Sequence, residues 1–388
     1  MLAGQLAVSV GGGVLSSVTV VFLVRSAGLD AAAVGVGLAA AGLLAFLPLL
    51  GIGPVLDRLG GRPVALLGGL VAVVSTAGFA LVDSVGTLVV VEGISNGALT
   101  IMYVAQRSLA GQLLTGTDRI RYVARNRAVS NLGVAAGALI AAPALVLDDR
   151  RAYLLTFGAA ALAVAAALPC LWFSPVPAAT AADAWQRPWV ALRDVRYLAM
   201  ALLCGLLGAR HRILVAAVPL WIVTATAAPA GLTSVLMLVN TGVVIVLQIP
   251  VSARADTLAG SARAMRYGGL AFAVAFAAFA LAAEVPRRPA VGLLVLAVVP
   301  FTFGEMWTAA ASWTYSYELA PPESHGRYQA AFALGRLGGE LAGPLLVPVA
   351  VAGAVGWAAV SAFFLGGCTL AGVLAPWAQK SRTGELTR

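Results

Sequence analysis

Charged side chains are scarce in this chain. Asp, Glu, Lys and Arg make up 11% of its 388 residues, where an ordinary soluble domain carries about 25%. The hydrophobic share is 61% and the mean hydropathy +0.94, more apolar surface than a fold in water can hide. Histidine occurs twice and cysteine three times. Cys170, Cys204 and Cys368 stand singly inside apolar runs, which excludes a disulfide framework or a zinc site and leaves them as small buried hydrophobes. Metal-ligand spacings and a nucleophile elbow are missing too, so neither an enzyme nor a cofactor or metal is expected. The net charge is +9 and the pI near 10.1, but the arginines are spread between apolar runs instead of forming one basic face. Nucleic acid is therefore not an expected partner. No basic segment followed by a small-residue cleavage site opens the chain, so its first apolar run reads as a retained helix.

What the chain does have is apolar runs of about twenty residues, the length of a membrane-crossing helix and too long for barrel strands. Splitting at charged and proline-rich gaps predicts twelve spans: 5–24, 31–52, 63–83, 86–108, 127–147, 152–173, 197–225, 230–252, 267–284, 289–314, 328–350 and 354–377. The longest gap contains Pro175, Pro177, Asp183, Arg187 and Pro188. It divides the spans into a six-helix bundle at 1–173 and another at 197–378, joined by a cytoplasmic linker at 174–196, with a cytoplasmic tail at 379–388. The expected fold is thus an all-α membrane protein of twelve transmembrane helices in two six-helix bundles.

Lys and Arg are retained on the cytoplasmic side of a membrane. With both termini inside, Arg58, Arg62, Arg119, Arg121, Arg125, Arg127, Arg187, Arg193, Arg196, Arg254, Arg263, Arg266, Arg327, Lys380, Arg382 and Arg388 fall in the cytoplasm. Only Arg25, Arg150, Arg151, Arg287 and Arg288 face out. Sixteen against five orients a multi-pass protein of the inner (plasma) membrane with both termini cytoplasmic.

Between the second and third spans lies Gly53-Pro54-Val55-Leu56-Asp57-Arg58-Leu59-Gly60-Gly61-Arg62-Pro63, read as a tight loop at the membrane surface. Its Gly-x-x-x-Asp-Arg-x-Gly-x-Arg pattern resembles the signature loop between helices 2 and 3 of the major facilitator superfamily of secondary transporters. Span 8 ends in a worn copy, Gln248 to Asp256 followed by Arg263 and Arg266, as expected of two related halves. Gly304-Glu305-Met306, Gly326-Arg327-Tyr328-Gln329 and Gly339-Glu340-Leu341-Ala342-Gly343-Pro344 are similar to stretches of the twelve-helix drug/proton antiporter branch. Span 5 departs from that branch: Gly133 and Gly137 are present, but Pro143 is displaced and the trailing glycine pair is missing. The resemblance implies that Gly53, Asp57, Arg58, Gly60 and Arg62 form a conformational latch, with Asp57 set against the positive N-terminal end of helix 11.

Ionisable groups inside a span are costly and mark candidate sites. Glu305, Glu340, Glu92 and His211 are the proton-coupling candidates. Arg210, Arg212, Arg336, Trp307 and Asn240 are candidates for lining a substrate cavity. Arg336 and Glu340 stand at i,i+4 and can pair with each other, and Glu92 is near enough to the outside to pair with Arg25. Arg210 and Arg212, two residues apart on a helix, are expected to point to nearly opposite sides. Trp313, Tyr315 and Tyr317 are expected in an interfacial belt. Together these features lead to a monomeric, proton-coupled efflux antiporter for a small amphipathic or drug-like compound, with protons, cargo and the lipid bilayer as its partners. The alternatives are a uniporter or proton symporter for a polar or anionic metabolite, and a lipid flippase on the same fold.

Overall fold

In a computed structural model, residues 1–114, 116–174, 190–321 and 324–379 are described. The linker residues Pro175, Pro177, Asp183, Arg187 and Pro188, the side chain of Arg119, Pro322, Glu323 and the tail residues Lys380, Arg382 and Arg388 lie outside them. Among the described residues there are helices and no strands, and twelve helices are long and apolar enough to cross a membrane. These are α1 Leu2–Ser26, α2 Ala33–Leu59, α3 Gly61–Leu81, α4 Val85–Leu113, α5 Arg121–Leu147 and α6 Arg150–Trp172. They are followed by α7 Val195–Ala225, α8 Leu232–Ala255, α9 Leu258–Leu281, α10 Arg287–Glu318, α11 His325–Ala350 and α12 Ala354–Gln379. Between 22% and 50% of each helix's most apolar window is buried. The rest stays apolar while facing outward, which suits lipid and not water.

Polar residues in the gaps start several helices. Ser84 accepts from the Thr87 amide and Thr87 Oγ1 from the Ser84 amide, a reciprocal cap on α4. Asp194 caps α7 at Tyr197, and Thr257 caps α9 at Gly260. At Pro48 the missing amide cannot reach Leu44, whose carbonyl takes the Leu47 amide instead, and α2 is interrupted there.

The chain sorts into two compact units: Met1–Thr115, Arg125–Pro188 and Pro322–Ala330 in the first, and Gly116–Ala124, Trp189–Pro321 and Ala331–Arg388 in the second. In the first, α1 packs on α6, and α4 packs on α2 and α3. Phe22, Tyr153, Phe157 and Phe79 stack at one end of that packing. In the second, α9 packs on α10 and α12, around Phe272, Phe276, Phe279, Phe301, Phe364 and Trp357.

Several expectations need correction. The stretch read as a loop around Asp57 is mostly helix: α2 runs to Leu59, Gly60 alone breaks the chain at φ +82°, and α3 starts at Gly61. That φ is one a side chain with Cβ rarely adopts, so a single glycine replaces a whole loop. Helix α9 begins at Leu258, nine residues ahead of the predicted 267, because Ser261, Arg263 and Arg266 interrupt hydropathy without interrupting hydrogen bonding. Tyr315 and Tyr317 are buried at 0% and 3% exposure and form no interfacial belt.

Candidate functional site

Helix α7 is not continuous. It runs regularly to Leu207, breaks at Gly208 and Ala209, and resumes through a short turn and a π-helical stretch, Ile213–Ala217, before Val218. The His211 amide bonds back to Gly208 O, which leaves Leu207 O without its usual partner. Arg210 Nη1 donates to that carbonyl at 2.9 Å. The sequence thus carries its own repair: the arginine that follows the break satisfies the backbone it exposes. With the helix irregular here, His211 and Arg212 are both exposed, while Arg210 turns inward, half-buried.

Three further helices of the second unit bring side chains toward this break. On α10, Glu305 Oε2 accepts from Asn240 Nδ2 of α8 at 3.2 Å. The same amide nitrogen donates to Thr302 Oγ1 at 2.9 Å, and Thr302 donates onward to Val298 O. On α11, Glu340 Oε2 lies 3.7 Å from Arg212 Nη2, beyond hydrogen-bond reach, with both side chains half exposed. Such a pair contributes at most about 1 kcal/mol and exchanges partners easily. Arg210, Arg212, Glu305 and Glu340 all act electrostatically on His211. Each of Arg210, Arg212, Asn240, Thr302, Glu305 and Glu340 is at least eight residues, about 12 Å, from either end of its helix. The cluster therefore sits well inside the spans, with two arginines, a histidine and two carboxylates, of which His211, Arg212 and Glu340 are exposed.

Not every candidate joins it. Arg336 is exposed and makes no ion pair with Glu340 among the described residues, because Arg212 reaches that carboxylate instead. Trp307 is two residues beyond Glu305 and so on another face of α10, against Tyr267 and Phe303 with ring centroids 5.8 and 5.4 Å away. Glu92 is half-buried on α4 in the first unit. Its suggested partner Arg25 binds Asp148 at 2.8 Å, which also accepts from the Tyr153 hydroxyl at 2.6 Å.

Within the first unit Asp57 is enclosed, 6% exposed, by the N-terminal turn of α11. Oδ1 accepts from the Gly326 amide at 2.6 Å, and Oδ2 accepts from Arg327 Nε at 2.7 Å and the Arg327 amide at 3.3 Å. A Cβ on Gly326 would fall 2.5 Å from Asp57 Oδ1, and one on Gly53 would fall 2.7 Å from Arg327 Cα, so both glycines are required by close approach. Arg58 is exposed, and Arg62 instead lies over the Trp172 ring at 5.1 Å and donates to Ser174 O.

Thr302 is a lone hydroxyl in an apolar run, and its one signal in the sequence is the i,i+3 spacing to Glu305, which puts both on one helical face. Gln5, at the start of an apolar run and without a distinguishing pattern, is buried and donates to Ser9 on α1 and Ser130 on α5. A separate groove of about 400 Å³, walled by Leu47, Pro48, Leu67, Val71 and Ile94, is apolar throughout.

A sequence model of the Major Facilitator Superfamily matches residues 1–344. The chain is similar to the human organic anion transporter MFSD10 (TETRAN), at 16% identity and TM-score 0.65, over 98% of this chain and 97% of that one. It is similar to a bacterial homologue of the iron transporter ferroportin in an outward-facing state, at 14% identity and TM-score 0.69, over 98% of each. It is also similar to the proton:xylose symporter XylE bound to 6-bromo-6-deoxy-D-glucose, at 14% identity and TM-score 0.62, over 98% of this chain and 92% of that one. No curated protein matches the chain in a sequence search.

Proposed function

The chain belongs to the Major Facilitator Superfamily, and from that premise we propose that it is a proton-coupled secondary transporter of a small amphipathic organic compound, moved outward in exchange for protons. The observation that carries this reading is the convergence of Glu305, Asn240, Arg212 and Glu340 from four helices, well inside the spans of one unit. Asn240 can donate to an ionised Glu305, and the same carboxyl can be protonated without leaving a permanent cation stranded on Asn240. Cargo binding and protonation of Glu305 then exclude one another, the condition for exchange. Arg212, held among the described residues by a loose pair with Glu340, is available to an anionic group of the cargo. Asp57 on the α11 turn acts as the latch that sets the balance between conformations.

A second reading is favoured by the exposure of both Arg212 and His211: a symporter or uniporter for an anionic metabolite, with these two as its binding groups. The apolar groove of α2, α3 and α4 offers no group to hold a lipid head, so flipping of lipids has less support. Uptake into proteoliposomes from a panel of amphipathic cations, amphipathic anions and polar anions, under imposed pH gradients of either sign, separates these readings. Cargo accumulating against an opposed proton gradient supports exchange. Accumulation along the proton gradient supports symport, and transport indifferent to the gradient contradicts proton coupling.

A further inference from the structure

Where α8 leads into α9, a second cavity of about 620 Å³ opens, lined by Arg254, Asp256, Gly260, Arg263, Tyr267 and Trp307. It is separate from the Glu305 cluster, and its chemistry is graded along its depth. Arg254 and Asp256 are at the α8–α9 turn, and Arg263 is five residues, about 7.5 Å, into α9. Tyr267 is nine residues in, about 14 Å, and Trp307 is eleven residues, about 16 Å, from the end of α10. Cations thus rim the cavity and aromatic rings form its deeper wall, with Tyr267 54% exposed along it.

Arg254 and Arg263 make no ion pair or hydrogen bond among the described residues, although Asp256 lines the same cavity. The rim itself is preformed: the hydroxyls of Ser261 and Thr314 both donate to Ala255 O, at 3.0 and 2.6 Å. In the related stretch of the first half, Asp57 is consumed by the α11 turn, whereas Asp256 is exposed and leaves its arginines to another partner.

We propose that this cavity binds one membrane phospholipid with an anionic head. Arg254 and Arg263 hold the phosphate through charge-assisted hydrogen bonds, and Tyr267 and Trp307 receive the glycerol and the start of an acyl chain, the amphipathic contact such rings make at membrane interfaces. The orientation expected from the arginine count puts this end on the cytoplasmic side, where anionic lipids are met.

The test is native mass spectrometry of the purified full chain in detergent, titrated with phosphatidylglycerol, phosphatidylcholine and inorganic phosphate. The wild type is expected to retain one phosphatidylglycerol with a preference over phosphatidylcholine of roughly tenfold. The double variant R254Q/R263Q is expected to lose the preference, and R266Q, which removes an exposed arginine of α9 outside the cavity, to keep it. Failure of millimolar phosphate to displace the lipid identifies the amphiphile, not the free anion, as ligand. Equal retention of both lipids by the wild type, an unchanged preference in R254Q/R263Q, or displacement by phosphate alone overturns the proposal. Monodisperse elution of R254Q/R263Q is expected because neither side chain bonds to another described residue.

Discussion

At the scale of single residues, the Asp57 contact depends on shape as much as on charge. Removing one partner of a buried ion pair costs about 3 kcal/mol, so Asp57→Asn is expected to lower the melting temperature in detergent by several degrees. Gly326→Ala, which leaves both charges in place, should lower it similarly, because its Cβ meets Asp57 Oδ1. Gly12→Ala, inside α1 with nothing within 4 Å, should not lower it; equal losses at 12 and 326 would contradict the close-approach argument. On the opposite face, the Tyr153 hydroxyl and the Arg25 guanidinium hold Asp148 below the usual carboxylate range. A depressed carboxyl adds stability above the unfolded value of about 3.9, and the contribution vanishes as pH falls through the lower folded value. Asp148→Asn should therefore destabilise at neutral pH and flatten the loss seen below about pH 4. Melting curves from pH 3 to 7 decide this, and parallel curves for wild type and variant would count against it.

At the scale of the helix, the apolar runs marked all twelve elements because burial in lipid asks only for length and hydropathy. The boundaries failed wherever a glycine or a charge changed local chemistry without ending the hydrogen-bond ladder, as at Gly60 and at the start of α9. The site was half legible for the same reason. Glu305, Asn240, Arg210 and Arg212 stand out as polar groups in apolar runs, but the Arg336–Glu340 pair inferred from i,i+4 spacing is replaced by a contact from α7. That replacement follows from the break at Gly208, which shifts the register of Arg212, and no helical periodicity anticipates it. Arg210→Ala should leave Leu207 O unpaired and cost about 1–3 kcal/mol, seen as a lower melting temperature. Ser84→Ala, removing the reciprocal cap on α4 far from the cluster, should cost about 1 kcal/mol while leaving transport rates intact; a transport defect there would show that the cap is not merely structural.

At the scale of the whole molecule, membership of the superfamily supplies the fold and the general activity, and the cluster in the second unit supplies the specific claim. That claim is that protonation of Glu305 and occupation by cargo are mutually exclusive. The most direct measurement is proton release when a transported compound is added to purified protein in weakly buffered detergent solution, comparing wild type with Glu305→Gln and Glu340→Gln. The account predicts release of up to one proton per bound cargo from the wild type and from Glu340→Gln, and none from Glu305→Gln, whose neutral amide stands in for the protonated carboxyl and should bind cargo weakly. Release that persists unchanged in Glu305→Gln would contradict it.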